Sequence, residues 1–117
     1  MSRKSDVDLG RVPLLEAMRG QGKEWEVLAP CYGVTNPNPP WQTSLTAMCD
    51  CLDVSGALPA LDRRRAEDEL AEAVYSDVPA PEGQLLALVH TMVNRGLVSE
   101  GELASRIRTV RSRLEAV

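Results

Sequence analysis

Three groups of side chains in this sequence have types and spacings that invite chemistry. The first is Arg63-Arg64-Arg65, three consecutive guanidinium groups. On a helix they spread over about 200°, so at least one must point toward the body of the protein or toward a partner. Arginine keeps its charge and offers five donors in a fixed fork, which suits anionic oxygens held across an interface. Ordinary pairing with Asp62, Glu67, Asp68 and Glu69 at helical spacings is the simpler alternative. The second group is the C-x-C pair Cys49 and Cys51, with Cys31 eighteen residues upstream of Cys49. Helical residues two apart point about 200° away from one another and cannot chelate one ion. No zinc-type spacing involves Cys31, so structural or incidental cysteines are expected. The third is His90, the only histidine, which allows no Ser-His-Asp or paired-His site and is expected in a surface or capping role. Neither G-x-x-x-x-G-K-S/T nor G-x-G-x-x-G occurs, and no carboxylate is isolated in an apolar setting.

The elements that must position these groups read as helices. Residues 11–19 suit a short helix with Pro13 in its first turn. From Gly20 to Pro40, glycines and prolines interrupt any periodicity, and TNPNPP at 35–40 reads as a turn or extended connector. After Pro40, Trp41, Leu45, Met48 and Leu52 form one helical stripe, and Gly56 supplies a stop. A second helix is expected from Pro59 or Asp62 through Tyr75, with Leu70, Ala73 and Val74 inward. Residues 76–83 read as a loop. A third helix over 84–95 turns Leu85, Leu86, Val89, Met92 and Val93 to one face. Ser99 and Glu102 form an S-x-x-E capping box that opens a fourth, with Leu103, Ile107, Val110 and Leu114 in line. The expected fold is all-α: about four main helices in a body over 41–117, preceded by an extended or irregular arm over 1–40 with a possible short helix.

Composition agrees. Of 117 residues 44% are apolar but none is Phe, so Leu, Val and Ala must fill the core, which favours close-packed helices. A formal charge of −4 argues against general nucleic-acid binding. Charge is uneven: residues 24–62 hold five acids and no base, whereas 102–117 hold four arginines against two glutamates. No apolar run is long enough to span a bilayer, and MSRKSDVDLG has charges where a secretory signal needs an apolar stretch. Three cysteines make no disulfide framework. A reduced, cytoplasmic protein is expected, and a helical body so small and poor in aromatics is marginal alone, as an obligate subunit would be.

From Trp41 to Leu114 the chain resembles the helical N-terminal region of nitrile hydratase β subunits, and the separate small β subunit of thiocyanate hydrolases most of all. The residues that carry the resemblance are PWQTSLTAMCDCLDVSGALPALDRRRAEDEL, AVYSDVP and LLALVHTMVNRGLVSEGELASRIRTVRSRL. Within them lie a Trp opening the first helix, C-x-C-L near its end and a D-R-R-R at the second. The joint before the last helix has the form (apolar)-V-S-x-x-E-L. The resemblance implies a partner α-type subunit that holds cobalt or iron in a claw of cysteines, two of them oxidised. The claw motif C-x-x-C-S-C is absent here, which implies that this chain binds no metal itself. The family's pair of claw-binding arginines falls on Arg63 and Arg64, and Tyr75 matches a substrate-side tyrosine.

One departure bears on the substrate. Family β subunits commonly carry a Tyr-Tyr pair entering the third helix, where this chain has Ala80-Pro81. Smaller residues there imply a wider pocket and a bulky nitrile, such as the nucleoside-type nitrile toyocamycin, rather than thiocyanate. Without the β-barrel half of ordinary nitrile hydratase β subunits, the chain is expected to need a third subunit to supply it. Two other readings fit the same residues. Activator proteins that load metal into the α subunit resemble this region and can share a P-W-Q like Pro40-Trp41-Gln42, and a small helical interaction domain without catalytic connection would also match.

Overall fold

A computed structural model describes residues 9–19, 24–35 and 38–116. The charged N-terminal stretch before Leu9, the glycines at 20 and 22, and residues 36 and 37 of the proline connector lie outside the described residues. Six helices occur and, among the described residues, no strand: α1 (Pro13–Arg19), α2 (Trp25–Cys31), α3 (Gln42–Ser55), α4 (Ala60–Ala73), α5 (Ala80–Asn94) and α6 (Glu100–Glu115). The all-α expectation therefore holds, while the count of about four is corrected to six. No helix among the described residues is long and apolar enough to cross a membrane.

The added element is α2, in a stretch that reads as irregular. Its seven residues include Pro30 in the last turn, where the missing N–H costs a single bond of a ladder that is about to end. What holds α2 comes from far along the chain: the Glu82 carboxylate accepts from the Trp25 amide at 2.7 Å. Helix α1 is held in the same way. Its Leu14 amide donates to Glu100 of α6 at 2.9 Å. A carboxylate at a helix N-terminus satisfies an orphan donor and meets the positive end of the dipole.

Helix ends elsewhere follow local chemistry. Gly56, at φ 81°, ends α3 in the left-handed region, and Gly96 at φ 75° follows α5; only glycine adopts that backbone without strain. The Asp53 carboxylate of α3 accepts from the Ala60 amide at 2.8 Å and caps α4. Ser99 caps α6 by accepting from the Glu102 amide at 3.0 Å. Helix α5 begins at Ala80 rather than after the expected loop 76–83. Pro79 is its N-cap and Pro81 lies in its first turn, where the lack of an N–H is harmless.

Two apolar clusters build the core, and α5 serves both. Leu86 and Ala87 meet Val12 and Leu15 of the α1 region, Leu70 of α4, and Val74 and Tyr75 just after it. Leu88, one residue further on, joins Leu45 and Cys49 of α3 and Leu58 of the α3–α4 turn. A helix buried on both sides cannot be read as a single stripe. Leu86, Ala87, Leu88, His90 and Thr91 are buried, and Val89, Met92 and Val93, expected on one inward face, are only partly so. In α3 the inward row passes through Cys49, leaving Met48 exposed. In α4 Ala66 is buried and Ala73 exposed.

Candidate functional site

The arginine triplet sits on the first turns of α4, directly after the Asp53 cap. Its three members fare differently. Arg63 lies down against the body, its side chain 15% exposed, and its Nη1 donates to both Glu67 oxygens at 3.0 Å. Its Nε is buried and, among the described residues, has no acceptor. An orphaned buried donor of this kind costs about 1–3 kcal/mol. Arg64 and Arg65 are exposed, and among the described residues neither forms a hydrogen bond or an ion pair. Pairing within the helix thus accounts for one guanidinium of three.

Under Arg63 lies Cys49. Burial pushes its thiol above the ordinary range, and the nearby Arg63 charge pulls the other way. Cys51 is exposed, so the two cysteines of the C-x-C face opposite environments, and Cys31 is exposed on α2. Among the described residues no three His, Cys, Asp or Glu side chains converge as metal ligands would.

Tyr75 and His90 stand apart from this cluster. Twelve residues separate Tyr75 from Arg63, about 18 Å at the rise of a helix, so they sit at opposite ends of α4. Tyr75 is 1% exposed, and its hydroxyl is 2.8 Å from His90 Nδ1. The rings meet edge to face at 5.7 Å. Burial, then the nearby Glu16 charge, push the phenol up to about 12. The structure therefore places Tyr75 in the core with its hydroxyl engaged, not beside Arg63 and Arg64. The surface or capping role expected for His90 is corrected as well: it is a buried core histidine. Nothing local signals this pairing, because residues fifteen apart meet only once α4 and α5 pack as a hairpin.

Arg19 closes the same end of the molecule. Its guanidinium donates to Val74 O at 2.9 Å and to Glu16 at 3.1 Å, and it pairs with Asp77. It also lies 5.8 Å from the Tyr75 ring centre. Asp77, bonded to Arg19, is held below the usual carboxylate range, while Asp77 in turn raises Arg19.

A further concavity opens between α2 and the start of α5. This cleft of about 720 Å³ is walled by Trp25, Ala29, Pro30, Pro79, Pro81 and Glu82, among others. The carboxylate that ties down Trp25 keeps its other oxygen, Oε1, buried and without a partner among the described residues. In the sequence Glu82 falls within the expected loop 76–83 and carries no signal of its own; its place in the first turn of α5 is what marks it. Comparison with family models, curated proteins and solved structures finds no match to this chain.

Proposed function

We propose that this chain is a small β-type subunit of a metal-dependent nitrile hydratase, which adds water to a nitrile to give an amide. It closes the active site over a separate α-type subunit that binds cobalt or iron, and a third chain supplies the β-barrel half. The observation that carries this reading is the arginine pair at the start of α4. Among the described residues Arg64 is exposed with no hydrogen-bond or ion-pair partner, and Arg63, still partly exposed, is braced beside it by Glu67. Such an array is suited to charged oxygens brought by another protein. The resemblance in sequence supplies their identity, the oxidised cysteines of the claw.

Within that assembly the metal, when held by the partner, supplies Lewis acidity toward the nitrile or its attacking water. This chain's residues do the rest. Arg63 and Arg64 donate to the claw oxygens, fix their orientation and thereby tune the metal from outside its ligand shell. The Arg63–Glu67 pair holds one fork at a set angle. Ala80 and Pro81, standing where the resemblance places a pair of tyrosines, favour a bulky nitrile.

The decisive experiment is native mass spectrometry with metal analysis, on the chain co-expressed in cobalt medium with the products of its adjacent genes. Stoichiometric retention in a metal-bearing complex is the expected result. Binding only to the metal-free α-type chain, with release on loading, would make it an activator instead. Capture of neither would overturn the family reading. On the retained complex, nucleoside-type nitriles should be hydrated at least tenfold more efficiently than acetonitrile or thiocyanate, and the reverse order would remove the bulky-substrate reading.

A further inference from the structure

Helix α6 leaves the body with no buried residue along its sixteen positions. Its apolar stripe starts partly covered at Leu103 and Ile107, then opens: Val110 is 50% and Leu114 73% exposed. At 100° per residue the four side chains fall within about 60°, with spacings of four, three and four. That is the narrow seam of a two-stranded coiled coil, with Leu103 and Val110 as d and Ile107 and Leu114 as a. A helix lying in a membrane surface needs a broader apolar face, commonly with aromatics, and α6 has none.

The flanks decide what can lie on this seam. Arg106 and Arg113 occupy g and Arg111 occupies e, with Ala104 the remaining e position. Among the described residues, none of these arginines has an ion pair, although Glu102 and Glu115 lie four residues from Arg106 and Arg111. Pairing with a second copy through the same seam sets Arg106 against Arg111 if the helices run parallel. If they run antiparallel, arginines of the same flank meet. Both arrangements repel. We infer that the distal half of α6 docks a helix of a different protein, one with an apolar a/d seam flanked by Glu or Asp. The inference rests on this surface alone and holds whether or not the chain is a hydratase subunit.

The test uses the full chain and three labelled 21-residue helical peptides, identical at Leu and Ile seam positions and carrying Glu, Gln or Lys at every e and g. Fluorescence anisotropy at low salt should show the Glu peptide binding at least tenfold tighter than the Gln peptide and the Lys peptide weakest. Half-molar salt should bring the Glu peptide down to the Gln level. Combined Arg106→Glu, Arg111→Glu and Arg113→Glu should transfer the preference to the Lys peptide, with helicity unchanged by circular dichroism. Equal binding of all three, no binding of the Glu peptide, or indifference to the charge reversal would overturn the inference. So would retention on phosphatidylserine vesicles without peptide binding, or a dimer in sedimentation that Val110→Asp abolishes.

Discussion

Arg63 and Arg64 are neighbours in sequence with unlike surroundings, and this makes them separable by mutation. Arg63 is bonded to Glu67 and largely buried, so Arg63→Lys disturbs the helix as well as any partner. Arg64 is exposed and forms no hydrogen bond or ion pair among the described residues, so Arg64→Lys should leave the chain's unfolding curve unchanged within about 0.5 kcal/mol. On the proposed hydratase-subunit reading, the same change should lower kcat of the assembled complex at least tenfold, because a lysine keeps the charge but loses the planar fork. Full activity would remove Arg64 from the site. The Tyr75–His90 pair makes the opposite prediction: Tyr75→Phe strands a buried ring nitrogen and should cost about 1–3 kcal/mol in urea unfolding. Its pH dependence has a definite sign. The fold holds the phenol proton up to about 12, whereas an unfolded tyrosine releases it near 10. Stability owed to this group is therefore complete below pH 10 and drains away as pH rises toward 12. The native chain should lose stability over that interval faster than Tyr75→Phe. Which arginines stood at a helix start was legible in the residues; that one would lie down and another stand free was not, because a neighbouring helix decides it.

Elements with their own signals were legible: a capping Ser99, a stop glycine at 56 and clean apolar spacing placed α3, α4 and α6 within a few residues, and Gly96 marked the end of α5. Those without such signals were not. Helix α2 combines a proline with fewer than two turns and would not persist alone, yet a carboxylate 57 residues away holds its first amide. Helix α5 begins among prolines that read as a loop until their role in a first turn is seen. Tertiary capping also makes a prediction. Glu82→Ala and Glu100→Ala should each cost about 1 kcal/mol, but at different places. Amide hydrogen exchange should quicken in α2 for the first and in α1 for the second. Uniform quickening in either variant would deny the caps this local role.

At the scale of the whole molecule, one helix lies between two cores. Because α5 lends Leu86 and Ala87 to one cluster and Leu88 to the other, neither should melt alone. Leu70→Ala and Leu88→Ala strike different clusters, and each should lower the same single transition by about 2–5 kcal/mol. Two separate transitions would show the clusters to be independent. The chain spans 53 × 29 × 28 Å with a radius of gyration of 15.1 Å, against about 13 Å for a compact chain of this length. Helix α6 contributes no buried residue to either cluster. The bond from Leu14 to Glu100 joins the first helix to the last across 86 residues. During synthesis α1 must therefore wait roughly 4–17 s for its cap to be made, at ordinary elongation rates. The nascent chain thus presents its α1 end to cellular chaperones and proteases before it can seal it. Slowing the ribosome upstream of codon 100 should lengthen that vulnerable interval without altering a single residue.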